Sequence, residues 1–328
     1  MSTTSRNPLA HPQRGVSLVE LMIALVIGLL LVGGLIQVYL TSKQSYNAQE
    51  QVARMQESGR FAVDLIARDL RRAGYWGGNV DTLSITGNPG RANPQHACDN
   101  NTNAWGRMIE WRVTGLNNTN THADGGYVNC ADGHIPGTDI LTVRYAGPEL
   151  ADAAFLQNDQ LYLRSTLFSG RIVTGSTAGD AENEVPPLGV DTPEHLLAVV
   201  RPLSAHGYFI GDTGRTCNGE MIPGLFRVRL GLDGTPIEPE ELAPGVEQLQ
   251  VRYLLGDEYV EAGDVGSNWP NVRAVRFWLV ARGECPEPGL NNTTTFEIGN
   301  DTPWPPAPDN FRRQLYGNTV MLRNTIVR

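Results

Sequence analysis

Apolar residues crowd the start of this chain and thin out afterwards. From Val16 to Leu40 the run is nearly continuous, long enough to cross a bilayer at about 20 residues per span, with Glu20 its one carboxylate. A carboxylate in such a run is costly in lipid and marks a functional position. Past the run the pattern becomes amphipathic. Ala48, Val52, Met55, Gly59, Ala62, Ile66 and Ala73 fall largely on steps of three and four, and Phe61, Leu65 and Leu70 widen the stripe. Asp64 and Arg68 form an i,i+4 pair, Arg71 and Arg72 suit the negative end of a helix dipole, and Gly74 is a natural stop. One helix from Val16 to Ala73 is predicted, roughly 85 Å long at about 1.5 Å per residue. Gly28, Gly33 and Gly34 interrupt its apolar half. They suit either close helix packing in a membrane or local unwinding.

Beyond Gly74 the period changes. Short β-rich runs separated by Gly, Asn, Asp and Pro predict strands at 109–114, 139–145, 160–165, 196–201, 208–210, 226–232, 246–254, 272–282 and 319–327. Clear alternation in Val228–Leu232 and Leu249–Tyr253 indicates antiparallel sheet with one wet face. Val272–Ala281 turns nearly all apolar and reads as a central strand covered by the helix. Asn79–Gly137 and Pro286–Pro308 read as polar, turn-rich loops. The first is a solvated insertion or a displayed binding loop, with a calcium site a weaker option because no EF-hand spacing is present. The fold class is α+β: a long N-terminal helix, its first half in the membrane, packed on an antiparallel β-sheet domain with long disulfide-tied loops. The expected divisions are 1–15, a basic leader; 16–40, the membrane half of the helix; 41–74, its amphipathic half; and 75–328, an exported β-rich domain.

Charge and chemistry narrow the function. The formal net charge is -9, from 26 basic and 35 acidic residues, and Lys43 is the sole lysine. An acidic surface disfavours non-specific nucleic-acid binding, and lysine-based catalysis has almost nothing to work with. No G-x-S-x-G, H-E-x-x-H or Walker loop is present, so no enzyme activity and no cofactor are expected. Residues 1–15 hold Arg6 and Arg14 and no acid, which by the positive-inside bias places them in the cytoplasm and the remainder outside. Export puts Cys98, Cys130, Cys217 and Cys285 in an oxidising compartment. Four cysteines allow three pairings; Cys98–Cys130 with Cys217–Cys285 keeps each bond within one half of the domain. A zinc site from His96, Cys98, His122, Cys130 and His134 is the rival, which the compartment disfavours. No metal is therefore assigned. Arg312, Arg313 and Arg323 read first as salt-bridge partners on the acidic surface and second as a subunit contact.

The string Arg14-Gly15-Val16-Ser17-Leu18-Val19-Glu20 resembles the leader junction of type IV prepilins and type II secretion pseudopilins. The resemblance implies cleavage after Gly15 by a prepilin peptidase and N-methylation of Val16, which stands where most members carry Phe. It also implies that Glu20 pairs with the terminal amine of a neighbouring subunit. An ammonium and a carboxylate are each expensive alone in lipid and cheaper together. Further along, Gly74–Gly77, Ile222–Arg227, Pro244–Tyr253, Val272–Arg282 and Phe311–Asn324 resemble PilW-type minor pilins, relatives of the minor pseudopilin GspJ. That family implies a pilin-like fold and a structural subunit that primes pilus assembly and sits near the tip, supporting adhesion and twitching motility. The implied partners are other minor pilins, the major pilin, a PilY-type tip adhesin and the inner-membrane assembly platform. The implied location is the inner membrane, with the C-terminal domain periplasmic, and after assembly the extracellular pilus. A GspJ-like pseudopilin of a secretion system is the alternative.

Overall fold

The computed structural model describes residues 15–79, 81–87, 108–118, 133–151, 156–158, 160–175, 198–229, 239–299, 303–304 and 308–324. Two compact units divide the chain, Met1–Glu50 and Gln51–Arg328. Helix α1, Leu18–Arg72, is 55 residues long and runs through Gly28, Gly33 and Gly34 without a break. Within the first unit its apolar side chains are exposed: Leu18, Leu29, Leu30 and Leu35 are each 70% or more accessible. Among the described residues α1 is the one helix long and apolar enough to cross a membrane. Lipid is the solvent that makes such a surface stable.

The second unit contains the C-terminal part of α1 and the sheets. Met55, Gly59, Ala62, Ile66 and Leu70 are buried along the expected stripe. Phe61 departs from it and is 44% exposed. It looks into a shallow groove lined also by Arg54, Leu242 and Pro244 rather than into the core. Ala62, Ile66 and Leu70 share one apolar cluster with Leu249, Val251, Val275, Phe277 and Leu279.

The strands are β1 (Ile85–Thr86), β2 (Val113–Leu116), β3 (Ile140–Ala146), β4 (Leu161–Ser165), β5 (Gly170–Thr174), β6 (Val199–Cys217), β7 (Glu220–Arg229), β8 (Glu240–Pro244), β9 (Val246–Leu255), β10 (Glu258–Val260), β11 (Ala274–Arg282), β12 (Phe296–Glu297), β13 (Pro303–Trp304) and β14 (Arg313–Met321). An eight-stranded sheet runs β1-β5-β4-β6-β3-β2, with β7 added to β6 and β8 to β7. A four-stranded sheet runs β10-β9-β11-β14, with β9, β11 and β14 antiparallel. Its central strand β11 is buried against α1, as the nearly all-apolar run predicts. The pairing is antiparallel throughout except for β1 with β5.

The 19-residue β6 replaces two expected short strands. It pairs with β4 through Val199–Pro202, with β3 through Leu203–Tyr208 and with β7 from His206 onward. Its hairpin to β7 turns at Asn218-Gly219, both at positive φ, as a two-residue hairpin loop requires. A disulfide joins Cys217, beside that turn, to Cys285 across 68 residues. Cys98 and Cys130 lie outside the described residues. So do His96 and His122, and with them most of the alternative metal set; the described residues hold no cluster of three metal-ligating side chains.

Candidate assembly site

Gly15, Val16 and Ser17 precede the helix, whose first bond runs from the Leu21 N–H to the Ser17 carbonyl at 3.1 Å. Glu20 therefore falls in the first turn of α1. A carboxylate is favoured there by the unpaired N–H groups and the positive end of the dipole. Val16 and Glu20 are both exposed, so the carboxylate and the segment that would carry a new terminal amine lie within about one helical turn of each other. A Cβ added at Gly15, Gly28, Gly33 or Gly34 would meet nothing within 4 Å, so each glycine offers an open surface for a close neighbour.

The second unit is held by three buried polar clusters. In the first, Asp69 is only 5% exposed although it lies on α1. Its Oδ1 accepts from the Tyr145 hydroxyl of β3 at 2.9 Å, and its Oδ2 accepts from the Tyr208 hydroxyl of β6 at 2.5 Å and pairs with His206 Nδ1. Burial pushes the Asp69 carboxyl up, but the His206 bond and charge, with the two hydroxyls, outweigh it and hold it below its ordinary value of 3.8. The cluster fastens the helix to two strands of the large sheet.

In the second cluster, Arg252 of β9 donates to Glu261 at 2.8 Å and lies 3.7 Å from Asp139. Asp139 accepts from the backbone N–H groups of Asn118 and Val251 at 2.8 and 2.7 Å. Burial pushes its carboxyl up to about 6 against those donors. In the third, Arg313 bridges Asp309 at 2.6 Å and Glu247, with Arg282 3.7 Å from Glu247. The Arg313 side chain is 2% exposed, so it is an interior tie and not the surface salt bridge expected from sequence. Arg312 does pair at the surface, with Glu287 at 2.9 Å. Arg323 is exposed.

His206 and Asp69 have the geometry of an oriented base. Among the described residues no serine, threonine or cysteine is hydrogen-bonded to His206, and its ring bond to Asp69 closes the cluster on itself. The arrangement holds elements together. Its sequence signal is faint: Asp69 sits beside Ala67 and Leu70 inside the apolar stripe, where a carboxylate needs a buried partner.

Comparison with known proteins bears on both ends of the chain. A family model described as Type IV Pilus-assembly protein W matches residues 207–324, from the middle of β6 through β14. A model described as Prokaryotic N-terminal methylation motif matches residues 11–36. No curated protein matches the chain. Among solved structures, the type IV-like pilin TTHA1219 from Thermus thermophilus is similar at 14% identity and a TM-score of 0.34, covering 84% of this chain and 98% of that one.

Proposed function

We propose that this chain is a membrane-anchored type IV pilus minor pilin, that it is cleaved after Gly15 and that it enters a pilus through its N-terminal helix; the matches to the pilus-assembly and N-terminal methylation models support this reading. The pilin-type domains point to a structural role. The observation that carries the proposal is the methylation motif at residues 11–36, which brackets the Gly15 junction and the first turn of α1 with Glu20 in it. Prepilin peptidase removes residues 1–15 and Val16 is N-methylated. Glu20 then pairs with the terminal amine of a neighbouring subunit, because two opposite charges in hydrocarbon are far cheaper together than apart. The β domain is carried on the periplasmic side until assembly and lies near the pilus tip afterwards. There it meets other minor pilins, the major pilin and a PilY-type adhesin, and supports assembly, adhesion and twitching motility.

Two substitutions test this. Gly15→Ala should leave the precursor uncut, read by intact mass as a chain still carrying residues 1–15. Normal processing would remove the leader assignment. Glu20→Ala should leave membrane insertion intact while the amount in sheared pili falls by about a hundredfold or more, since removing one partner of a buried pair costs about 3–5 kcal/mol. Undiminished incorporation would remove the pairing role. Loss of enzyme secretion with motility intact on deletion would move the chain to the pseudopilin reading.

A further inference from the structure

We infer that the C-terminal end of α1 presents a cationic surface that docks a carboxylate-rich face of another protein subunit. The inference rests on the filament reading above. Arg71 and Arg72 form the last turn of the helix. The chain after β14 returns to that turn. The Leu322 N–H donates to the Arg273 carbonyl at 2.8 Å, and the Asn324 side-chain amide donates to the Ala73 and Arg72 carbonyls at 3.1 and 3.4 Å. Arg323 is therefore flanked by one residue bonded to Arg273 and another bonded to the helix end. Arg71, Arg72, Arg273 and Arg323 are all exposed. Beneath them Arg112 is buried and donates to the Asn324 carbonyl at 3.1 Å and to carbonyls of the segment leading into β11. Burial pushes its guanidinium down to about 10, which leaves it charged at neutral pH.

An ordinary reading is that these cations offset the helix dipole. Asn324 and the Tyr75 N–H already bond the carbonyls of Arg72 and Ala73 between them, and the field of the dipole acts on cations of the last turn, which leaves Arg273 and Arg323, from other segments, without an account. The carboxylates of this end of α1 are also committed elsewhere. Asp64 pairs with Arg68 at 3.2 Å, and Asp69 is turned into the core against His206. Arg72 is drawn toward the Tyr145 hydroxyl. Among the described residues no carboxylate lies within 4.0 Å of Arg71, Arg273 or Arg323. The chain has 35 acidic and 26 basic residues, yet among the described residues these exposed arginines stand without a carboxylate partner. Such a patch is complementary to an anionic surface, and guanidinium groups match carboxylates in paired hydrogen bonds.

Protein carboxylates fit better than nucleic acid. Tyr75, whose N–H donates to the Arg72 carbonyl at 3.0 Å, has its ring covered by the Arg201 guanidinium at 5.4 Å, so it is not offered for stacking bases. The acidic remainder of the chain would repel a polyanion that extends past the patch. A partner subunit of similar acidic composition supplies a limited cluster of carboxylates without that penalty.

The test uses the tagged full-length chain recovered in detergent from its own membranes, with co-recovered pilus proteins quantified by mass spectrometry. In the combined Arg71→Glu, Arg273→Glu and Arg323→Glu variant, recovery of pilin-type subunits should fall about tenfold, the sum of three weak exposed pairs. The corresponding lysine variant should retain most of it, and wild-type recovery should drop at about 0.5 M salt. Should the triple variant melt early, Arg323→Glu alone serves, with a loss of about threefold. Unchanged recovery with a folded glutamate variant overturns the inference. Loss of co-purifying nucleic acid with subunit recovery unchanged overturns it as well. If wild type recovers no pilin-type subunit, the filament reading itself fails, a result separable from failure of the patch.

Discussion

Asp69 shows how one side chain can fix where a helix lies. It occupies the buried face of α1, where the stripe calls for a leucine, and it is satisfied by a histidine and two tyrosines from β3 and β6. Arg72 acts on Tyr145, and Arg227 of β7 acts on Tyr208. Because the Asp69 carboxyl is held below its ordinary 3.8 in the fold, its contribution to stability is complete above that value and is lost as pH falls through the folded value. Asp69→Asn should lower unfolding free energy by about 1–3 kcal/mol at neutral pH. The gap to wild type should narrow as the solution is acidified below about pH 4. Denaturant titrations at several pH values would read this, and an equal deficit at every pH would refute it. This cluster is hidden in the sequence because Asp69 and His206 are 137 residues apart. Gly15 and Glu20, by contrast, are proposed from a local relation, a short spacing between a glycine junction and a charge in an apolar run, within the stretch that the methylation motif matches.

Elements are legible where packing follows period. The strands β3, β4 and β9 emerge close to their expected bounds because β-rich runs stand between turn residues. The alternation in Leu249–Tyr253 does not mark a wet face: all five residues are buried, and Gln250 and Arg252 bond to Asn118 and Glu261 instead of water. The long β6 reads as two strands because Pro202, Gly207 and Gly211 look like breaks, yet β4 carries the ladder through Pro202 from one side and partners on both sides carry it through Gly207 and Gly211. The last strand β14 starts earlier than its pattern suggests. It is an edge strand, largely exposed or half-exposed, so its polar residues give no alternation to follow. Helix α1 is readable in length, but the stripe does not explain why Gly59 interrupts it. The structure answers that: a Cβ at position 59 would overlap the ring of Tyr316 on β14. Gly59→Ala gains up to about 1 kcal/mol of helix propensity and should still destabilise the protein by about 1–3 kcal/mol through overpacking. Adding Tyr316→Ala should recover part of that loss, because contacting sites are not additive. A stabilised Gly59→Ala single variant would contradict the contact.

At the scale of the whole molecule, the chain divides its two solvents at Glu50. Most of the large exposed apolar side chains lie between Val16 and Tyr46, whereas among the described residues the buried apolar side chains begin at Met55. The second unit, Gln51–Arg328, therefore holds its own apolar core, its three ionic clusters and the Cys217–Cys285 bond. In the chain-entropy account a loop of this length closed by a disulfide contributes about 4 kcal/mol. A unit with those properties is a domain by the criterion of an independent core. Residues 51–328 produced with disulfides intact should remain monodisperse without detergent and melt in one cooperative transition, followed by calorimetry and gel filtration. Reduction should lower that transition. The full-length mature chain should instead need detergent, since its exposed apolar helix has no water-stable burial of its own. Aggregation of the shortened chain, or a melt without cooperativity, would mean that the helix before Gln51 is required for the fold, and that anchoring and folding are one property in this protein.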